Sequence, residues 1–115
     1  MNRYREVEPE LREDERVQAL CRALVICTDE ELMLKFLRDV LTIREARDIS
    51  KRWAAARLLI QRQTQSQTAK DLEMSNRTVN EVDQWVHGPY ATGGYWGVSR
   101  LLQGETENAP QQPAE

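Results

Sequence analysis

Apolar side chains recur every three to four residues along most of this chain, and no segment alternates with the two-residue period of a strand. Residues 1–8 are polar and charged. Pro9 suits the first turn of a helix that carries Val17, Leu20, Cys21, Leu24 and Val25 on one face. Thr28 followed by Glu31 has the spacing of a capping box, and Leu32, Phe36, Leu37 and Val40 continue the helical period behind it. Thr42 with Glu45 makes a similar box. It opens a longer helix running towards Gln61, with Ile43, Ala46, Ile49, Trp53, Ala56 and Ile60 along one side.

The next stretch, from Thr64 to Val82, reads as two short helices joined by a tight turn. Thr64 can cap the first helix, with Gln67 returning the bond, and Ser75 can cap the second. Thr68, Ala69, Leu72, Met74, Val79 and Val82 form an inward stripe that changes direction at the turn, with small Ala69 where two crossing helices approach. The turn position that favours a left-handed backbone holds Glu73, at a cost of roughly 1 to 2 kcal/mol relative to glycine. Trp85 and Val86 extend the last apolar turn before His87, Gly88 and Pro89 stop it, the glycine being placed for a C-terminal cap. Gly93 and Gly94 make a hinge into a final helix over about 95–103.

The expected fold is therefore all-α, a helical bundle containing a helix-turn-helix. Its expected organisation is a disordered arm over residues 1–8, one helical domain over 9–103 with the helix-turn-helix at 64–86, and a disordered tail over 104–115 that lacks any hydrophobic anchor. The one-sided early helices suggest that a second copy covers part of the surface, with a compact monomeric bundle as the alternative.

Asparagine and glutamine can pair bidentately with adenine, and arginine with guanine. The outward side chains of the second short helix are of these kinds, so Asn76, Arg77, Asn80 and Gln84 are the expected base contacts, with Glu81 beside them. Gln65, Ser66 and Lys70, with the backbone amides that open the first helix, are the expected phosphate contacts.

Charge sharpens this picture. The net charge of −3 conceals a basic middle: residues 42–82 carry 8 basic and 5 acidic groups, against 7 and 10 over 1–41 and 1 and 4 over 83–115. Positive charge is concentrated where phosphate contact is expected, while the acidic total argues against strong non-specific binding. Cys21 and Cys27 have no metal-binding spacing and read as buried thiols of an intracellular, cytoplasmic protein. No apolar run approaches the roughly 18 residues of a membrane span, and no signal segment opens the chain. His87, the single histidine, lies beside a helix stop among aromatic residues and reads as a packed or capping group. No nucleophile, acid-base pair or phosphate loop accompanies it, so neither an enzyme nor a cofactor is expected. The aromatic residues around it read as core or dimer interface.

With these elements in place, the stretch LTIREARDISKRWAAARLLIQRQTQSQTAKDLEMSNRTVNEVDQWV, followed by GGYWGVSRLL, resembles the tryptophan repressor superfamily, most closely its YerC/YecD-type branch. The resemblance covers roughly residues 28–103. It is carried by Leu41-Thr42, the Arg52-Trp53 pair with Leu58-Leu59, the helix-turn-helix and Gly93-Gly94-Tyr95. It implies an intertwined helical homodimer that binds double-stranded DNA and regulates transcription in the manner of a repressor. It also implies a possible effector pocket, in which Arg52 matches a corepressor-binding arginine and Thr42 a ligand-contacting threonine. Glu81 replaces a second such arginine and would repel a ligand carboxylate. Trp53 adds bulk beside Arg52, so tryptophan is not the expected effector and any effector is an unknown small molecule. Gln61-Arg62 stands where the family often has an acidic residue and glycine. A protein-interaction adaptor built on the same scaffold, and an accessory DNA-binding protein of a mobile element, remain alternative readings.

Overall fold

The computed structural model describes residues 4–107. Among them are seven α-helices and no strand: α1 (Pro9–Arg12), α2 (Glu15–Ile26), α3 (Glu30–Val40), α4 (Ile43–Ile60), α5 (Gln65–Leu72), α6 (Asn76–Val86) and α7 (Gly94–Glu107). The chain divides into two compact units within α4. One spans residues 6–50, and the other joins residues 4 and 5 to residues from 51 onwards. No described helix is long and apolar enough to cross a membrane.

In the N-terminal unit, the single first helix expected from the periodicity is two. The Asp14 carboxylate accepts from the backbone N–H of Arg16 (2.8 Å) and Val17 (3.1 Å), so a new helix starts there and α1 ends after one turn. A second correction concerns α3. Its cap is Asp29, which accepts from the Glu31 amide at 3.0 Å, and not Thr28. A carboxylate is the stronger acceptor at the positive end of a helix dipole, and α3 begins one residue later in consequence. The Thr42–Glu45 box forms in full, with the Thr42 amide donating to Glu45 Oε1 (2.9 Å) and the Glu45 amide to Thr42 Oγ1 (3.0 Å). No side chain of α1, α2 or α3 is buried. Cys21 is exposed and Cys27 half-buried, against the expectation of buried thiols, because this unit encloses no interior of its own.

The C-terminal unit has a core of Ala55, Ala56, Leu59, Ala69, Val79, Val82 and Val86, drawn from α4, α5 and α6. Alanine at three of these places brings the helix axes together, and fully burying each valine is worth roughly 1.5–3 kcal/mol. Thr68 is fully buried as well, with its hydroxyl donating to Gln63 Oε1 at 2.6 Å. The Trp96 indole N–H donates to the Val86 carbonyl at 2.8 Å, which ties α7 to the end of α6.

Both ends of α5's connections close in the same way. After α4, the amide of Gln63 reaches the Leu58 carbonyl and that of Arg62 the Leu59 carbonyl, while Arg62 takes φ 74°. After α5, Met74 reaches Ala69 and Glu73 reaches Lys70, with Glu73 at φ 55°. These are paired Schellman closures, and in each the left-handed residue that glycine would suit is charged. Gly88 has a different role from the expected cap: its φ is not positive, and a Cβ there would lie 2.9 Å from the Gln84 backbone.

Two further expectations change at the chain ends. Residues 4–8 belong to no helix, yet the Arg5 amide donates to the Ala91 carbonyl (3.0 Å) and its Nε to the Tyr90 carbonyl (2.8 Å). The Tyr4 ring covers Gly93, whose φ is 96° and where a Cβ would lie only 2.8 Å from that ring. Helix α7 begins at Gly94 and continues to Glu107, beyond the expected end at 103. Residues 1–3 of the expected arm and 108–115 of the expected tail lie outside the described residues.

Candidate nucleic-acid interface

Helices α5 and α6 form the helix-turn-helix, and local chemistry sets both starts. Thr64 Oγ1 accepts from the Gln67 amide at 3.1 Å, while the Gln67 side chain turns away to Asp71 (2.7 Å), so only half of the expected box forms. Ser75 Oγ accepts from the Thr78 amide at 3.0 Å. Gln63 donates to Asp71 at 3.2 Å while accepting from Thr68, and so fastens the start of α5 to the segment before it.

Of the four expected base contacts, Asn76, Arg77 and Asn80 are exposed on α6. Arg77 pairs with Glu81 one turn on (Nε to Oε2, 3.6 Å), and with the arginine side chain 89% exposed this pair is worth only about a few tenths of a kcal/mol. Arg77 can therefore leave Glu81 for a base or a phosphate at little cost. Gln84 differs from the other three: it is half-buried, with its side-chain oxygen turned towards Gly88.

Ser66 and Lys70 are exposed and one turn apart on α5. Gln65 Nε2 donates to Asp83 Oδ2 (2.7 Å) and to Asn80 Oδ1 (3.3 Å), so both of its side-chain donors are used inside the protein. A phosphate oxygen needs a donor. What Gln65 offers it is therefore the backbone N–H at the first position of α5, where helix amides have no intrahelical partner. Sequence spacing gave no sign of this network, because its partners lie 15 and 18 positions apart.

His87 closes the far side of the network. Its Nδ1 lies 2.7 Å from Asp83 Oδ1, and its ring and that of Trp96 make a T-shaped contact with centroids 5.7 Å apart. The aromatic residues pair among themselves, Trp85 with Tyr90 (5.3 Å) and Trp53 with Tyr95 (6.1 Å, stacked), and Arg5 lies over the Trp85 ring at 5.1 Å.

The possible effector residues stand in different surroundings. Thr42 lies in the N-terminal unit with its hydroxyl committed to the α4 cap. Arg52 lines an open pocket of about 500 Å³ in the C-terminal unit, with Trp53, Trp85, Thr92, Tyr95 and Val98. Trp53 walls this pocket and does not fill it. Burial raises the Tyr95 pKa, against a smaller opposing effect of the Arg52 charge. Among the described residues no group of histidine, cysteine and carboxylate side chains is suited to hold a metal ion.

In comparisons with known proteins, a family model described as Trp repressor protein matches residues 15–89. No curated protein and no solved structure matches the chain.

Proposed function

The chain belongs to the Trp repressor protein family, a family of helical DNA-binding regulators, and from that premise we propose that it is a sequence-specific transcriptional regulator acting as a homodimer. The observation that carries this reading is the α5–α6 unit. It buries Val79, Val82 and Ala69 inward and leaves Asn76, Arg77 and Asn80 on the exposed side. Such a helix supplies the amide and guanidinium donors that a major groove can accept. Phosphates meet Ser66, Lys70 and the first amides of α5. The homodimer reading draws support from the N-terminal unit, where Leu20, Val25, Ile26, Leu32, Leu34, Val40, Ile43 and Ile49 are all exposed. A row of that kind on one protomer is what an intertwined partner would cover. The protein would act in the cytoplasm.

Tryptophan is not the effector in this reading. Among the described residues Arg52 is the single cation lining its pocket, and the position that would supply a second is Glu81, engaged with Arg77. Calorimetry with free tryptophan should give no binding heat, and a saturable isotherm would contradict that. The DNA-binding reading is tested by measuring affinity for a duplex against salt concentration. The expected result is a steep loss of affinity with salt and a shallower slope, by about one, for Lys70→Ala. An affinity unaffected by salt, or one that Lys70→Ala leaves unchanged, would favour the protein-interaction adaptor.

A further inference from the structure

The hydrogen bonds between α5 and α6 run in one direction only. A carboxylate accepts and does not donate, so Asp83 fixes the polarity of everything attached to it. On one side His87 must present Nδ1–H to Asp83 Oδ1, at 2.7 Å. On the other, Gln65 must turn Nε2, not Oε1, towards Asp83 Oδ2, at 2.7 Å. With the Gln65 amide so oriented, its second N–H points to Asn80, and Asn80 answers with Oδ1 at 3.3 Å. The Nδ2 amino group of Asn80 is then left as its outward end. Asp83 is only 21% exposed on its side chain, and Trp96 packs on the His87 ring, so the anchor of this chain is held on both sides.

We propose that Asp83 and Gln65 are positioning residues that decide which base Asn80 reads, by holding its carbonyl inward and presenting its N–H pair to the groove. The proposal rests on the DNA-binding reading above and adds to it a specificity that residue type alone would not give. A free asparagine pairs with adenine through both ends of its amide, donating to N7 and accepting from the N6 amino group. Holding Oδ1 on Gln65 uses one of its two lone pairs and turns the oxygen towards α5, which weakens it as an acceptor for the N6 amino group. A donor alone meets two acceptors on guanine (N7 and O6) and one on thymine (O4), whereas on adenine it meets N7 beside another donor. Asn80 is thus set for guanine or thymine over adenine.

The test uses the full chain. The base position read by Asn80 is the one whose preference disappears in Asn80→Ala. At that position the wild-type protein should bind guanine or thymine about fivefold or more above adenine, the low end of what one base-edge contact discriminates. Gln65→Ala and Asp83→Asn should each bring adenine to parity or above, the second because asparagine can donate and so lets Gln65 turn over. Preference of the wild type for adenine, or base ratios that neither variant changes, would overturn the proposal. The lock itself is read without DNA, by nuclear magnetic resonance of the side-chain amides. The Gln65 N–H pair should exchange with water more slowly than the Asn80 pair, and should lose that protection in Asp83→Asn. An unprotected Gln65 amide would overturn the lock directly. A protected Gln65 in a protein that selects no DNA sequence would instead defeat the DNA-binding reading, and the assignment of a base to Asn80 with it.

Discussion

The two halves of this chain bury their apolar residues very differently. In the C-terminal unit, Ala55, Ala56, Val79 and Val82 are fully enclosed by helices of the same chain. In the N-terminal unit, α2 and α3 have an equally regular apolar period, but Val25 is 82% exposed and Ile26 80%. Helical periodicity is thus satisfied within the chain in one half and left open in the other. The difference teaches that the same sequence signal can specify a core or an interface, and that what the stripe meets decides between them. Isolated helices of 11 or 12 residues are marginal in water, so α2 and α3 need a surface to pack against.

The strongest way to break the comparison is to place a charge in each half. Val79→Asp buries an unpaired carboxylate in the enclosed core, and the C-terminal unit should lose its cooperative thermal transition, since such burial costs several kcal/mol. Ile26→Asp places the same charge where a single chain leaves the side chain in water. The helix-turn-helix should keep its fold while sedimentation shows monomer where the wild type shows dimer. Should Ile26→Asp unfold the protein as Val79→Asp does, without any change of assembly beforehand, the two halves would not be different in kind.

A finer contrast lies within the C-terminal unit, between the two faces of the helix-turn-helix. Asn80→Ala should relax preference at one base position, at a cost of about 1 to 3 kcal/mol for the preferred duplex. Lys70→Ala should weaken all duplexes alike. Binding titrations on a matched and a scrambled duplex separate the two, and equal effects of both variants on both duplexes would defeat the assignment. The smallest expected effect is at the turns. Glu73→Gly and Arg62→Gly each relieve a left-handed backbone and should raise stability by up to about 1 kcal/mol, read as a higher denaturant midpoint without a change of slope. A lower midpoint would show that these charged side chains contribute more to the turns than their backbone strain costs.

What could be read from the sequence was local. The caps at Thr42, Thr64 and Ser75 join residues three apart, and the left-handed turn at Glu73 follows from the spacing of its two helices; all four are present in the fold. Where two neighbouring residues could cap, as at Thr28 and Asp29, spacing did not separate them. The break at Asp14 was hidden because the apolar period of the longer helix passes over it. Contacts distant in sequence were not legible at all. Tyr4 on Gly93 and Arg5 on Ala91 join segments that carry no helical pattern, and Gln65 on Asp83 joins two patterned helices through polar positions that their apolar period does not mark. For the same reason the sequence named Asn80 and Gln65 as separate contacts, one to base and one to phosphate, where the structure joins their side chains. The exposure of Cys21 was misread because a helical stripe does not state which molecule will cover it.

The central claim is that two copies of this chain hold their α6 helices for successive major grooves. Selection from random duplex DNA by the purified protein tests it most directly. Enrichment of a short palindrome is expected, with half-sites one helical turn apart, about 34–36 Å, bound about a thousandfold or more above random DNA at physiological salt. No enrichment, with only weak binding that salt erases, would contradict it.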